Sequence, residues 1–260
     1  MSKEEQRQKN LERIKALRLM DDNFMNVCLD KNKEAAELIL KIVLGREDLS
    51  VIEVNNQKEI DNLIGRGVVL DVLAIDTLGN NYDIEIQRSD SGAIPRRARF
   101  HSSIIDVNML MKGESFSELC ENYVIFINEN DVLGMNKPVY VINRFIDGEN
   151  VQFEDGSHII YVNASMKSPD TPLGRLMSDF YCTNADQMNY KVLADIVRYY
   201  KETEEGVDKM CEIWEEVKND VRIENAKKMI NDSVLPIEKI AEYTGLSIEQ
   251  VRELAGNKSA

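Results

Sequence analysis

Two hydrophobic periods alternate along this chain. After Asp30–Asn32, which can cap a helix, Ala35, Leu38, Ile39, Ile42 and Val43 recur at helical spacing, and Gly45 ends the run. Val51–Val54 predicts a strand. Val68–Ile75 and Tyr82–Gln87 predict two more, joined by Thr77–Leu78–Gly79, a three-residue hairpin loop with Gly in the left-handed position. Pro95 opens a helix to about Met111, with Ile104, Ile105 and Val107–Leu110 as its apolar side and Gly113 as its stop. Tyr123–Asn128 reads as a β-branched and aromatic strand, and the runs Val139–Phe145 and His158–Val162 are expected to extend the same sheet. From about Pro172 the pattern turns helical, over Leu173–Phe180, Tyr190–Glu202 and Val207–Ile230.

The order helix, three strands, helix, strand predicts an α/β fold, with a central mixed sheet flanked by helices and a helical C-terminal part. The expected division is a polar helical extension over 1–18, loosely docked, a sheet domain over 19–165, a helical region over 166–232 and a tail over 233–260. In the tail, Gly245 turns the chain between two short helices and Ser247 caps the second, a pair resembling a helix-turn-helix. Its second helix offers Glu249 and Glu253, with only Gln250 and Arg252 as groove contacts, so a packing module or partner contact is the preferred reading.

The hairpin carries the chemistry. Its register sets Asp71 opposite Glu85, with Cβ atoms about 4.5–5.5 Å apart. Alternation puts Gln87 on the face of Glu85, while Tyr82, Ile84 and Ile86 join Leu70, Val72 and Ala74 on the other. Two carboxylates that close repel unless one is protonated or a cation lies between them. A divalent ion is the simpler account, and oxygen ligands favour Mg²⁺ or Mn²⁺. A slip of one residue would instead make this an acidic solvent face on an edge hairpin.

Composition narrows the partners. The 260 residues carry a formal charge of −14, which argues against coating nucleic acid by bulk attraction. The one dense basic segment is Arg88, Arg96, Arg97, Arg99 and His101, readable as a phosphate-holding patch or as a solvated helix face. The Met-Ser-Lys-Glu-Glu start has no apolar signal region and the longest apolar run is broken by Lys41, so the expectation is a cytoplasmic protein without membrane contact. Cys28, Cys120, Cys182 and Cys211 form no CxxC pair and read as buried thiols; His101 and His158 are too few for a His-rich metal site. No GxSxG, Walker A or GxGxxG motif is present, so acyl transfer, nucleotide hydrolysis and a nucleotide cofactor drop out. Metal-assisted phosphodiester hydrolysis survives. Asp71 and Glu85 would be ligands, with the Ile86 carbonyl a third. Gln87 would orient the water or touch the phosphate, and Arg88, Arg96, Arg97 and Arg99 would hold flanking phosphates.

These residues resemble the PD-(D/E)XK nuclease superfamily, with an Asp on the second core strand and Glu-x-Gln (Glu85, Gln87) where that superfamily has Glu-x-Lys on the third. The likeness is to its branch of family transposases, or recombination-promoting nucleases. It rests on Asp21, Asp22 and Phe24; Gly65, Arg66, Leu70 and Asp71; Tyr82, Ile84, Glu85 and Gln87; Arg97, Ala98 and Arg99; Tyr123–Phe126 with Glu129–Asp131; and Gly156–Asn163. The resemblance implies a restriction-endonuclease-like αβββαβ core. It implies a Mg²⁺- or Mn²⁺-dependent DNA endonuclease linked to recombination, mobile elements or phage defence, with a homodimer suited to cutting both strands. Gln87 in place of Lys removes a positive charge, which slows chemistry unless Arg88 or a second metal compensates. Asp21 and His101 are accessory candidates, the simpler reading of His101 being a cap on its helix face. Asp21, Glu37 and Asp131 are the acids that could approach as a third partner. Two alternatives stand beside the endonuclease: a catalytically silent relative that binds DNA or protein, and a DDE-type transposase.

Overall fold

The computed structural model describes residues 3–60, 66–232 and 235–256; Gly65 of the Gly-Arg strand motif and the outermost residues of the extension and the tail fall outside them. The chain divides into two compact units, Lys15–Arg198 and Met1–Ile14 with Tyr199–Ala260.

In the larger unit, α2 (Asp22–Leu29) and α3 (Lys33–Leu44) precede β1 (Val51–Ile60), β2 (Val68–Asp76) and β3 (Asn81–Gln87). Then come α4 (Pro95–Met109), β4 (Asn122–Asn128), β5 (Val139–Ile142), β6 (Phe145–Ile146), β7 (Val151–Gln152), β8 (Ser157–Asn163) and α5 (Pro172–Tyr181). Asn32 caps α3 by accepting from the Ala35 N–H at 3.1 Å, and Gly45 ends it at φ +65°. The six-stranded sheet runs β1-β2-β3-β4-β8-β5, and β6-β7 forms a separate ribbon. The first three strands are antiparallel, β3, β4 and β8 are parallel, and β5 returns antiparallel. This is the expected αβββαβ order in a mixed sheet. Helices α2 and α3 pack on β1 and β2, and α4 packs on β2, β4 and β8.

The β2–β3 turn follows its sequence signal. Gly79 adopts φ +84°, and the Asp76 carboxylate accepts from Leu78 N–H (2.8 Å), Asn80 N–H (3.0 Å) and the Tyr82 hydroxyl (2.8 Å). That fixes the hairpin register, and with it the face on which every later side chain falls.

Three expectations about the strands and thiols need correction. The first strand reaches Ile60 rather than Val54: Asn55–Glu59 are polar but pair with β2 along the sheet edge, where one side of the strand meets water. The run Val139–Phe145 splits, with Val139–Ile142 in the sheet and Phe145 in the separate β6–β7 ribbon. Of the four free thiols only Cys28 is buried; Cys120, Cys182 and Cys211 are partly exposed.

The smaller unit holds most of α1 (Lys3–Ala16), the end of α6 (Lys191–Glu202), α7 (Glu204–Asp232), α8 (Ile237–Thr244) and α9 (Ile248–Gly256). Asn10 and Ile14 of α1 are buried, and Arg7 pairs with Asp208 of α7 at 3.2 Å, so this helix is not the loose extension its polar sequence suggests. Ala226, Ile240, Ala241, Leu246 and Val251 form a core between α7, α8 and α9. Gly245 turns α8 into α9 at φ +71°. The Ser247 hydroxyl accepts from Gln250 N–H (3.1 Å) while Gln250 Oε1 accepts from Ser247 N–H (2.8 Å), a capping box that occupies the side chain of one of the two groove candidates. Among the described residues no helix is long and apolar enough to cross a membrane.

Candidate active site

The β2–β3 ladder pairs Val72 with Ile84 and Leu73 with Asp83. One step further along the same register, Asp71 faces Glu85. The Asp71 N–H donates to Glu85 Oε1 at 3.2 Å, and the Ile86 N–H donates to Asp71 Oδ2 at 3.3 Å. The backbone thus fixes both carboxylates, and the expected pairing is present. Glu85 is fully buried and Asp71 half-buried.

Alternation along β3 places a further acid on this face. Asp83, two residues before Glu85, is 0% exposed. The parallel neighbours of Asp83 and Glu85 on β4 are Val124 and Phe126, so the acids lie against apolar side chains under α4. Burying ionised carboxylates in such surroundings is costly, and the protonated form is favoured instead. Burial, and then the charge of Glu85, pushes Asp71 up to about 8. Burial, and then the charge of Asp83, raises Glu85 to about 7, against the opposing pull of His101 and Arg97. Asp83 is raised well above the ordinary carboxylate range by burial and then by Asp71.

The compensating groups come from α4. Pro95 starts that helix at its first turn, where a missing N–H costs nothing. Arg97 and His101 are four residues apart and therefore share a face. Arg97 Nη2 lies 2.5 Å from Glu85 Oε2, its Nη1 donates to the Gly92 carbonyl at 3.1 Å, and its Nε donates to His101 Nε2 at 3.2 Å. The guanidinium also lies 5.6 Å from the centre of the Phe126 ring. His101 Nδ1 is 2.9 Å from Asp83 Oδ2 and 3.6 Å from Glu85 Oε1. Burial lowers the imidazole, with the charge of Glu85 opposing it. His101 is 3% exposed and sits inside the acid cluster, so the cap reading is replaced by a buried, partnered role.

Gln87 follows on the same strand face, its Nε2 reaching Glu85 Oε2 at 3.4 Å. Gly92 makes room for it: a Cβ there would stand 1.8 Å from Gln87 Oε1.

The remaining candidates divide. Arg88 is held by Asp21 (2.9 Å) and Glu129 (3.2 Å), and Arg18 pairs with the same two acids at 3.5 Å. Asp21 is thereby bound to arginines. Glu37 pairs with Lys41 and accepts from the Val51 N–H, and Asp131 accepts from the Tyr140 hydroxyl, so both serve local structure. After Glu85, the acid whose charge raises Asp71 is Asp22, the neighbour of Asp21, itself raised by burial against the opposing charge of Arg97. Arg96 and Arg99 are exposed on α4. A cleft of about 870 Å³ opens beside the cluster, lined by Arg66, Arg96, Arg97, Phe100 and His101 among others.

The sequence reading thus passes over Asp83, although the alternation that aligns Gln87 with Glu85 aligns Asp83 as well. Asp22 enters it only as a motif residue beside Asp21, and Asp21 rather than Asp22 stands there as the accessory acid, because which residue of a helix end meets the sheet is set by tertiary packing.

The ligand chemistry suits a divalent cation. Ligand atoms of the buried Asp83, Glu85 and His101 lie within 4.8 Å of one another, Asp71 stands across the strand pair from Glu85, and Asp83 Oδ1 is buried with no hydrogen-bond partner among the described residues.

No curated protein and no solved structure matches the chain. A family model does, over residues 23–235, which spans the αβββαβ core, the acid cluster, Arg97 and His101. By that match and by its sheet, the chain belongs to the PD-(D/E)XK nuclease family transposases.

Proposed function

We propose that this protein is a divalent-metal-dependent endonuclease that hydrolyses phosphodiester bonds in DNA, acting in recombination, mobile-element biology or phage defence. The observation that carries the reading is the pair Asp71–Glu85, fixed by backbone hydrogen bonds from both strands in a family of nucleases.

Asp71, Glu85 and the Ile86 carbonyl hold Mg²⁺ or Mn²⁺ in this reading. The bound ion supplies a polarised phosphoryl oxygen and an acidified water. Gln87, steadied against Glu85 and given space by Gly92, positions the attacking water through its amide. The charge lost where Gln87 replaces Lys is supplied by Arg97 rather than Arg88, because Arg88 is taken by Asp21 and Glu129 whereas Arg97 reaches Glu85. Arg66 and Arg96 in the cleft hold the flanking DNA backbone, a local patch that overcomes the acidic remainder of the surface. Placement of the two acids on the second and third strands of an αβββαβ core favours hydrolysis over DDE-type strand transfer.

One observation favours the silent alternative: both Glu85 oxygens already hold protein donors, Asp71 N–H on one and Arg97 on the other. Supercoiled plasmid incubated with purified protein in Mg²⁺, in Mn²⁺ and in EDTA, beside Asp71→Asn, separates the two. Metal-dependent nicking lost in Asp71→Asn supports the nuclease. A folded wild-type protein that binds DNA without nicking it in either metal establishes the silent form.

A further inference from the structure

Asp83 and His101 have no part in the hydrolytic scheme above, yet they are deeply buried polar groups, at 0% and 3% exposure. From this pair we infer that the chain builds a second cation site, Asp83–Glu85–His101, which takes a divalent transition-metal ion such as Mn²⁺ in preference to Mg²⁺ and shares Glu85 with the Asp71 site. The inference rests on the preceding reading only through that shared carboxylate.

The spacing is that of a coordination polyhedron. Ligands held about 2.1 Å from one ion lie about 3.0 Å apart at right angles and about 3.4 Å apart at the tetrahedral angle. His101 Nδ1 is 2.9 Å from Asp83 Oδ2 and 3.6 Å from Glu85 Oε1, and one ligand atom from each residue falls within 4.8 Å of the others. Asp83 supplies the second, independent sign. Its Oδ1 is buried without any partner among the described residues, in a side chain that is 0% exposed. An orphaned buried carboxylate oxygen demands a counter-charge or a proton, and a cation held between these residues supplies the counter-charge.

The identity of the ion follows from the nitrogen. Mg²⁺ keeps to oxygen ligands and gives up its waters reluctantly, whereas imidazole beside carboxylate suits the first-row transition ions. The tautomer specifies how the ion enters. Arg97 has only donors, so its Nε–H on His101 Nε2 requires a bare Nε2 and puts the ring proton on Nδ1, donating to Asp83. Binding of the ion at Nδ1 moves that proton to Nε2, which changes from acceptor to donor and releases the Arg97 Nε–H. The guanidinium, still held by Glu85 and the Gly92 carbonyl, then has its Nε–H free beside the cleft it lines with Arg66 and Arg96. Filling this site and gripping a phosphate backbone are thereby linked through one side chain.

The chain contains just two histidines, His101 and His158, which makes the test decisive. Untagged full-length protein is titrated with Mn²⁺ and examined by pulsed EPR for the nitrogen coupling of a metal-bound imidazole. The expected result is a nitrogen signal in wild type that persists in His158→Gln, where His101 is the sole imidazole, and that vanishes in His101→Gln. Asp83→Asn is expected to weaken Mn²⁺ binding about tenfold or more. Asp71→Asn retains the nitrogen signal even though it abolishes plasmid cleavage, so loss of the hydrolytic reading and loss of this one are told apart. Absence of nitrogen coupling in wild type, its loss in His158→Gln or its persistence in folded His101→Gln overturns the site.

Discussion

Arg97 Nη2 lies 2.5 Å from Glu85 Oε2, and no other basic side chain among the described residues forms an ion pair with Glu85 apart from the imidazole of His101. The guanidinium is one-third exposed while Glu85 is fully buried, so the contact joins the wet cleft to the dry acid cluster. Three acids on one sheet face are held together by one arginine and one imidazole, both from a single turn of α4.

Removing that charge leaves Glu85 buried beside Asp83 without its main cation. Arg97→Met keeps an unbranched apolar stem and deletes the ion pair, and is expected to lower stability by about 2 kcal/mol, less than a fully buried pair costs because Glu85 can escape by taking a proton. Urea unfolding measures it. The loss should be larger at about pH 8 than at about pH 5, where Glu85 is already protonated; equal losses at both would show that the contact is packing rather than charge.

The raised acids also set how the whole domain responds to pH. Asp71 moves from an ordinary 3.8 to about 8 and Glu85 from 4.5 to about 7, so the folded chain binds more protons than the unfolded chain between roughly pH 4 and pH 8. Stability therefore declines as pH rises through that window and levels off above it. In EDTA, the thermal midpoint should fall steadily from about pH 5 to about pH 8. Asp71→Asn should flatten that slope, and so should saturating Mn²⁺, which replaces the proton as the counter-charge. A wild-type midpoint independent of pH in EDTA contradicts the assignment of these shifts.

Hairpin register depends on Gly79. Its φ of +84° is a conformation that a side chain adopts only under strain, and a Cβ there would also meet Cys120 Sγ at 3.1 Å. Gly79→Ala is expected to destabilise by about 1–2 kcal/mol. Because Asp76 holds the turn through three further donors, the register survives, and the cleavage rate per folded molecule should be unchanged. A large fall in that rate with little loss of stability would mean that the turn acts on the site directly.

How much of this was legible depended on whether a short-range rule governed it. The Asp71–Glu85 pairing could be read because period-two alternation and a Gly in a three-residue loop together fix a hairpin register. Asp83 obeys the same rule, two residues before Glu85 on the same strand face. Arg97 could be placed on a helix but not against Glu85, since the rotation of α4 about its axis is set by packing on β4 and β8. Arg88 looked like the natural neighbour of the site from sequence, being next to Gln87; it is drawn off by Asp21 and Glu129, which lie 67 and 41 positions away along the chain. The polar end of β1 was illegible for a similar reason, because its partner strand rather than its own composition makes it a strand.

Gly92 offers the narrowest test of Gln87. A Cβ at this position would overlap Gln87 Oε1 at 1.8 Å, but the clash is with the far end of a flexible side chain, which can turn away at little cost in stability. Gly92→Ala should therefore leave the thermal midpoint within a few degrees of wild type while displacing the Gln87 amide from Glu85. If Gln87 orients the attacking water, Gly92→Ala should reduce metal-dependent nicking to the level of Gln87→Ala, and the double variant should be no worse than either single change, because both remove the same interaction. Additive losses would assign Gly92 and Gln87 to separate roles. Unchanged nicking in Gln87→Ala would remove the amide from the chemistry and leave Arg97, which reaches Glu85, to replace the missing lysine.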